Sequence, residues 1–575
     1  MNGTTRQECC PISYCGAGVR FQFLLPESTP LLLLPEQPSV LSDGATRLLL
    51  IAVVTTAAIL RLWGLQFGLP HPFARPDEEI IVDLALGVLK DPNPHFFDWP
   101  TLFAYATAAV YAVLFAVERA IRGGITDAAV AKAAFEPVLH LVPRALSACA
   151  GAATVVVLFG AARELFSRRV ALLAAGFLAV AYLHVRDSHF GVTDVPATFL
   201  TVCALWAGLR CVTKGMSIRR AAIAGIWCGL ATSTKYNCVL ILLPAIVGIF
   251  SQTTWNRPQS IRAAFNATGV LLFFATAAFL AGTPYALLDY ATFVAALTAV
   301  RHHLAAGHVV MARGWTYHAG LTLRYGLGVP LIVSACLGAC WLVARERRAA
   351  ALVLAFPLPY YVILGSGLTV FVRYMVPIVP FLCLTAAVFV DRLADSIGRS
   401  LETGRARDVS TVALAAIVMI PTAISSVSFD RLMTKVDTRV IAAGWIASYY
   451  PSGASIYQNG YGFAQVRPKP RERYEQRTFN EQTNRFERDG RPIDSPDLIV
   501  LLESPLAVYT RVPAPIAALI TADYTLVDTS YSLTALQASA TVYDQDDAFF
   551  APFSGIENAR RPGPNVSVFQ RRARR

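Results

Sequence analysis

Residues 48–87 read LLLIAVVTTAAILRLWGLQFGLPHPFARPDEEIIVDLALG. Their first half is apolar apart from Thr55, Thr56, Arg61 and Gln66, and about 20 such residues in helical form cross the ~30 Å hydrocarbon core of a bilayer. The chain then breaks at Pro70 and Pro72 and restarts at Arg75-Pro76-Asp77-Glu78-Glu79. Proline suits the first turn of a helix, and Ile80, Ile81, Leu84 and Val88 follow as one apolar stripe. The pattern predicts a membrane span followed by an amphipathic helix along the interface, with its acidic start at the membrane edge. On spacing alone two readings of Asp77 and Glu78 stand open. They complement the helix dipole, worth up to about 1 kcal/mol, or they form a functional acidic pair.

The rest of the chain agrees with a membrane setting. Of 575 residues, 55% are hydrophobic and only 15% charged, against about 25% charged in soluble domains. Further apolar segments at 101–121, 141–161, 170–185, 195–210, 221–234, 239–250, 263–281, 321–343, 350–364, 374–390 and 412–428 follow. Arginine and lysine crowd every second loop, at 163–169, 210–220, 257–262, 345–348 and 392–407, and basic loops stay cytoplasmic. This accounts for the +12 net charge without nucleic acid. Asp194, Lys235, residues 283–318 and Arg373 then face outward.

Segment 101–121 carries two tyrosines, Thr101, Thr107 and a charged end. If it spans, Asp77 and Asp194 lie on opposite sides. Read as re-entrant or interfacial, it leaves both outside and the chain with about 11 spans. Residues 1–46 read as a flexible leader holding Cys9, Cys10 and Cys15, and 47–429 as the membrane domain. Residues 430–575 change to short mixed pieces: a helix near 438–449, strands at 498–502 and 540–543, and a basic tail. They are expected to form a small extracytoplasmic α/β domain. No internal repeat, P-loop, dinucleotide-binding glycine pattern or Cys-x-x-Cys pair is present.

Ionisable groups at an outer boundary or wet cavity are functional candidates, because a charge in hydrocarbon is costly. Arg186, Asp187, His189, Thr193 and Asp194 form one such group, with a plain helix start at Thr193-Asp194 as the alternative. Lys235 and Arg373 sit at span ends and suit a phosphate or ordinary snorkelling. The 283–318 loop holds Tyr285, His302, His303 and His308. Its histidine spacing is not a standard metal pattern, so a divalent metal is conceivable but not indicated.

In order, these pieces resemble the GT-C superfamily of membrane glycosyltransferases, in the style of glycosyltransferase family 39, the protein mannosyltransferase and aminoarabinose transferase type. The resemblance is carried by Pro76-Asp77-Glu78, Arg144-Ala145-Leu146-Ser147, Arg163-Glu164-Leu165-Phe166 with Arg168-Arg169, and Thr193-Asp194. Gly229-Leu230-Ala231-Thr232 with Thr234-Lys235, Gly282-Thr283-Pro284, and Arg373-Tyr374 with Pro377 and Pro380 complete it. It departs where many relatives carry Lys-Pro and this chain has Asp98-Trp99-Pro100, and a Trp-Trp-Asp tripeptide is absent.

The resemblance implies an α-helical polytopic GT-C fold in the plasma (inner) membrane. It also implies an inverting sugar transfer from a polyprenyl-phosphate donor to an outward-facing hydroxyl of a protein, lipid or glycan. Asp77 would be the general base, with Glu78 and Asp194 as further catalytic acids. Arg75, Lys235, Arg373, His189 and Tyr285 would bind substrate or carrier phosphate, and no metal ligand is implied. Two rivals remain: a transporter or flippase of lipid-linked sugars, expected to show repeats and broken helices, and a non-catalytic scaffold.

Overall fold

The computed structural model describes residues 42–122, 128–309, 311–488 and 490–573; Cys9, Cys10, Cys15 and nearly all of the leader lie outside them. Among these residues seven helices are long and apolar enough to cross a membrane, or ten if each of three bent pairs counts once. The expectation of about 11 spans therefore becomes 7 to 10. The segment expected to span at 321–343 is not one straight helix. It bends by 113° between Gly314–Leu327 and Val329–Arg345, at Gly328, whose φ of 79° suits a glycine. Ile218–Thr232 has 15 residues and Tyr236–Ser251 is similarly short.

The first four helices set up the site. They are α1 (Asp43–Leu62), α2 (Glu78–Gly87), α3 (Leu102–Arg122) and α4 (Ala128–Leu165). The 38 residues of α4 extend about 57 Å, far more than a hydrocarbon core needs. The stretch from Arg144 to Leu165 alone is about 32 Å, so the first turns of α4 project beyond the bundle. There the sheet domain reaches it, through Lys469 and Glu136 at 3.1 Å. Helix α3 meets this projecting part: Tyr111 donates to the Leu139 carbonyl at 2.6 Å. Helix α3 is apolar and long enough to span; it packs on α2 and on the part of α4 before Arg144, and its first residues meet the ends of two other helices.

Small residues bring the start of α3 to two other helix ends. A Cβ at Gly225 would stand 2.3 Å from the Leu271 carbonyl oxygen, and one at Gly229 2.1 Å from that of Ala275. Glycines four apart thus let Ile218–Thr232 pack tightly on Pro258–Gly282. At the ends of this pair Ser233 and Thr283 share a 2.7 Å hydrogen bond, the Thr101 hydroxyl donates to the Gly282 carbonyl at 2.8 Å, and the Leu102 N–H donates to Ser233.

The arginine-rich loops meet at the opposite end. Arg169 pairs with Asp408 at 2.7 Å, Arg168 pairs with Asp43, and Glu164 accepts from Thr213 and Trp206. At the site's end sits a seven-stranded sheet: β1 (Ala454–Gln458), β2 (Tyr474–Asn480), β3 (Arg485–Arg488), β4 (Arg491–Ile493), β5 (Leu498–Glu503), β6 (Tyr524–Ser530) and β7 (Asn565–Arg571). The order is β4-β3-β2-β1-β5-β7-β6, with β1 parallel to β2 and β5 and the other pairs antiparallel.

Strand β5 reads LIVLLE because both of its faces are covered. Leu498 and Val500 pack on Ala442 and Ile446 of Thr438–Tyr449. Ile499, on the other face, packs with Ile516 and Ile520 of Ala514–Asp523. The helix expected near 438–449 is thus present, whereas the strand expected at 540–543 is reduced to one bridge, Val542 to Ser554.

Candidate functional site

Asp77 precedes the first residue of α2 with φ 73° and makes no side-chain capping bond. Its carboxylate instead points to Arg373, at 2.7 Å, and keeps 23% of its side-chain surface exposed. Arg373 belongs to a short 3-10 turn, Val372–Ile378, broken by Pro377. Proline lacks the N–H that would bond back three residues in such a turn, and the Tyr374 carbonyl accepts instead from the Tyr360 hydroxyl at 3.0 Å. Arg373 also lies 3.4 Å from Asp547, and its guanidinium covers the Phe371 ring at 4.2 Å.

Lys235 follows the end of Ile218–Thr232 and pairs with Asp194 at the start of Asp194–Thr213. The Lys235 ammonium also stands 5.3 Å from the Tyr374 ring centroid. Asp77, Arg373, Tyr374, Lys235 and Asp194 therefore form one linked group. Arg75 is fully buried, bonded at 2.8 Å to Asp547 and held over Phe190 at 4.6 Å.

The remaining candidates are placed differently. Glu78 has no exposed surface, and Arg144 gives it contacts of 2.6–3.1 Å while the Gly191 N–H donates at 2.8 Å. Arg144 also donates to the carbonyls of Leu65 and Phe67. The pair thus clamps the end of α1 to α2 and α4, and the Glu78 carboxylate is turned away from Asp77's partner. His189 is fully buried, its ring nitrogens on the Val185 and Trp63 carbonyls. Tyr285 begins a four-residue turn, and among the described residues no hydrogen bond joins it to the Asp77 group. Glu79 is mostly buried with one oxygen unpartnered; burial, then the charges of Asp77 and Glu78, push its carboxyl up to about 7.

Sequence reasoning missed the acids supplied by the sheet domain. Asp544 accepts from the Tyr317 hydroxyl and the Val372 N–H, both at 3.0 Å. Asp546 accepts from the N–H groups of Val309 and Val370 at 2.9 and 2.6 Å, and Asp547 joins Arg75 to Arg373. Burial and the like charge of Asp547 push the Asp544 carboxyl up. Phe549 and Phe553, just beyond, enter the core of the membrane bundle. Their signal was present as Asp544-Gln545-Asp546-Asp547 running straight into Phe549-Phe550, acids that an ordinary soluble turn does not need. Among the described residues no three His, Cys, Asp or Glu side chains are grouped so as to hold a metal ion.

Comparison with known proteins shows what the chain is similar to. Residues 139–281 match the family described as dolichyl-phosphate-mannose-protein mannosyltransferase, a stretch that includes Arg144, Asp194 and Lys235. No curated protein matches the chain. Among solved structures, ArnT from Cupriavidus metallidurans bound to undecaprenyl phosphate aligns over 92% of this chain and 98% of its own, at 13% identity and TM-score 0.52. The Archaeoglobus fulgidus oligosaccharyltransferase in the apo form aligns over 79% of this chain at 13% identity and TM-score 0.49, and the chain spans 62% of its length. The S. cerevisiae protein O-mannosyltransferase Pmt1-Pmt2 complex bound to the sugar donor aligns over 45% of this chain and 35% of its own, at 18% identity and TM-score 0.34. Residues 139–281 thus resemble the mannosyltransferase family, and along nearly its whole length the chain is similar in fold to ArnT.

Proposed function

We propose that this protein is an inverting glycosyltransferase. It moves a sugar from a polyprenyl-phosphate-linked donor to an extracytoplasmic hydroxyl, with Asp77 as general base. One observation carries the reading: Asp77 is part-exposed, makes no capping bond, and stands in one group with Arg373 and Lys235. A residue held at positive φ without a capping role stores local strain of order 1 kcal/mol, which folds tolerate mostly at functional positions.

In the reaction the acceptor oxygen attacks the anomeric carbon from the face opposite the carrier. The bond from that carbon to the phosphate oxygen breaks, the electron pair leaves with the phosphate, and the hydroxyl proton passes to Asp77. Arg373 and Lys235 meet the negative charge gathering on the departing phosphate. Asp194 holds Lys235 in place, while Glu78 acts through Arg144 as a brace and not as a second acid. Because the 163–169 and 392–407 loops are basic, their end is read as cytoplasmic and the sheet domain as extracytoplasmic. Helix α3 then lies along the outer surface.

The transporter reading is weaker for a specific reason. The helix pair Arg168–Val180 and Tyr182–Ser188 is bent by 56°, but the carbonyls freed there are already used. Arg61 donates to Leu178 and Ala179, and Thr422 and Ser426 donate to Val180. A break sealed by side chains offers no oxygens to a transported cation.

Asp77→Asn, made in the full chain and assayed with a polyprenyl-phosphate sugar and a hydroxyl acceptor, is expected to lose roughly 10²–10⁴-fold in turnover while folding normally. Undiminished transfer by well-folded variant protein would overturn the base assignment.

A further inference from the structure

The sheet domain carries a cleft of about 510 Å³ that the proposed transfer reaction does not use. It opens at the carboxyl ends of β1, β2 and β5, which run parallel with β1 in the middle. Chains leaving such strands diverge and create a crevice, where open α/β sheets bind ligands. The crevice here is held open by built features. The Asn459 amide donates to the carbonyls of Leu502 and Thr510 and accepts from the Leu502 N–H. Gly460 follows at φ 74°, where a Cβ would meet the Tyr509 carbonyl oxygen at 2.4 Å.

The lining has one sign of charge in excess. Arg467, Arg471, Arg477 and Arg511 stand against a single carboxylate, Glu481, which pairs with Arg511 at 2.8 Å. Arg467 stacks on Phe73 at 4.2 Å with its Nε buried and without a hydrogen-bond partner, while Arg477 donates to the Asp494 carbonyl and its Nε lies 3.6 Å from Glu475, just outside the lining. Burial and then the neighbouring Arg471 lower the Arg467 guanidinium to about 10, against the opposing charge of Glu136. The exposed ring of Tyr461 lines the cleft beside them, and Tyr474 is buried in its wall with its hydroxyl on the Tyr450 carbonyl. Planar guanidinium forks suit phosphate or carboxylate, and tyrosine offers an apolar face with a polar tip, the combination a charged sugar ring needs.

We propose that this cleft binds an anionic saccharide, a sugar unit bearing a phosphate or a carboxylate. The site is separate from the Asp77 group, and the inference does not rest on the transferase reading. The cleft does border the segment leading to Asp77, since His71 bonds the Gln465 carbonyl at 2.8 Å.

The test is calorimetric titration of the purified full-length protein in nanodiscs with mannose 6-phosphate, glucuronate, mannose and inorganic phosphate. At least one anionic sugar is expected to bind ten-fold or more tightly than both mannose and inorganic phosphate, and more weakly as salt rises. The phosphate and carboxylate arms identify which oxyanion is preferred. Arg467→Gln and Arg477→Gln are each expected to weaken binding at least ten-fold. Glu481→Gln, which frees Arg511, is expected to tighten it. That opposite sign separates loss of a contact from general misfolding. Binding of mannose or inorganic phosphate as tight as either anionic sugar would overturn the proposal. So would absence of heat with every ligand, or affinity unmoved by the three substitutions.

Discussion

Glu78 and Arg144 separate scaffold from chemistry. Both side chains are fully buried, and the carboxylate is enclosed by the guanidinium at 2.6–3.1 Å and the Gly191 N–H at 2.8 Å. Glu78→Gln removes the charge and leaves Arg144 in place, still bonded to the Leu65 and Phe67 carbonyls at 2.9 Å. A buried ion stripped of its partner costs about 3–5 kcal/mol. The retained carbonyls and the new amide oxygen put this case near the lower end, about 3 kcal/mol. Removing both charges, Glu78→Leu with Arg144→Met, leaves no unpaired ion. It also gives up the bonds to Gly191 and to the Leu65 and Phe67 carbonyls, about 1 kcal/mol each, so its loss is expected to be no larger than that of Glu78→Gln. Chemical unfolding of the purified chain, followed by tryptophan fluorescence, reads both variants against the wild type. Glu78→Gln that unfolds at the wild-type midpoint yet fails to transfer sugar would refute the reasoning and return Glu78 to the catalytic group.

The remaining expectations concern titration, the interdomain acids and topology. Glu79 binds its proton more tightly folded than unfolded, so the stability it contributes is full below pH 4.5 and lost as pH rises to about 7. Glu79→Gln should therefore leave stability at pH 4 nearly unchanged and raise it at pH 8 by up to about 3 kcal/mol, read from unfolding midpoints at the two pH values. Asp547→Asn removes the carboxylate shared by Arg75 and Arg373. It should destabilise the chain by about 3 kcal/mol and make the sheet domain a faster target in limited proteolysis. Cysteines at Gly87 and Leu288, both exposed, should react with an impermeant thiol reagent added to intact cells, and one at Ala344 should not. Opposite labelling at 87 and 288 would mean that α3 crosses the membrane.

What the sequence made legible follows from what each signal depends on. Apolar run length and loop charge are local, so the membrane class, α1, the acidic helix and the helix at Thr438–Tyr449 could be read directly. The 113° bend at Gly328 was invisible because the apolar run continues through it and one glycine is weak punctuation. Asp77 and Glu78 are adjacent and alike in sequence. Only the long-range positions of Arg373 and Arg144 turn one toward a part-exposed group and bury the other. His189 is enclosed for the same reason: its ring nitrogens meet the carbonyls of Val185 and Trp63, and Asp430 lies 3.4 Å away, partners that no local pattern announces. Asp547 lies 472 residues from Arg75, a pairing that no local rule could anticipate.

That pairing changes how the two domains are understood. Arg75 and Arg373 are cations held where water is scarce, and such charges persist only with partners. The membrane domain supplies Asp77 to Arg373, and the sheet domain supplies Asp547 to both. Asp544 and Asp546 meanwhile cap the backbone at Val370 and Val372, beside Arg373. The turn that aims Arg373 at Asp77 is therefore shaped by the sheet domain. On this account the sheet domain is part of the site's construction, and disturbing the Asp544–Asp547 loop should shift the position of Arg373 before it disturbs any helix. A site divided in this way ties the Asp77 group to correct docking of the two domains, because neither half alone can satisfy the charges that hold it.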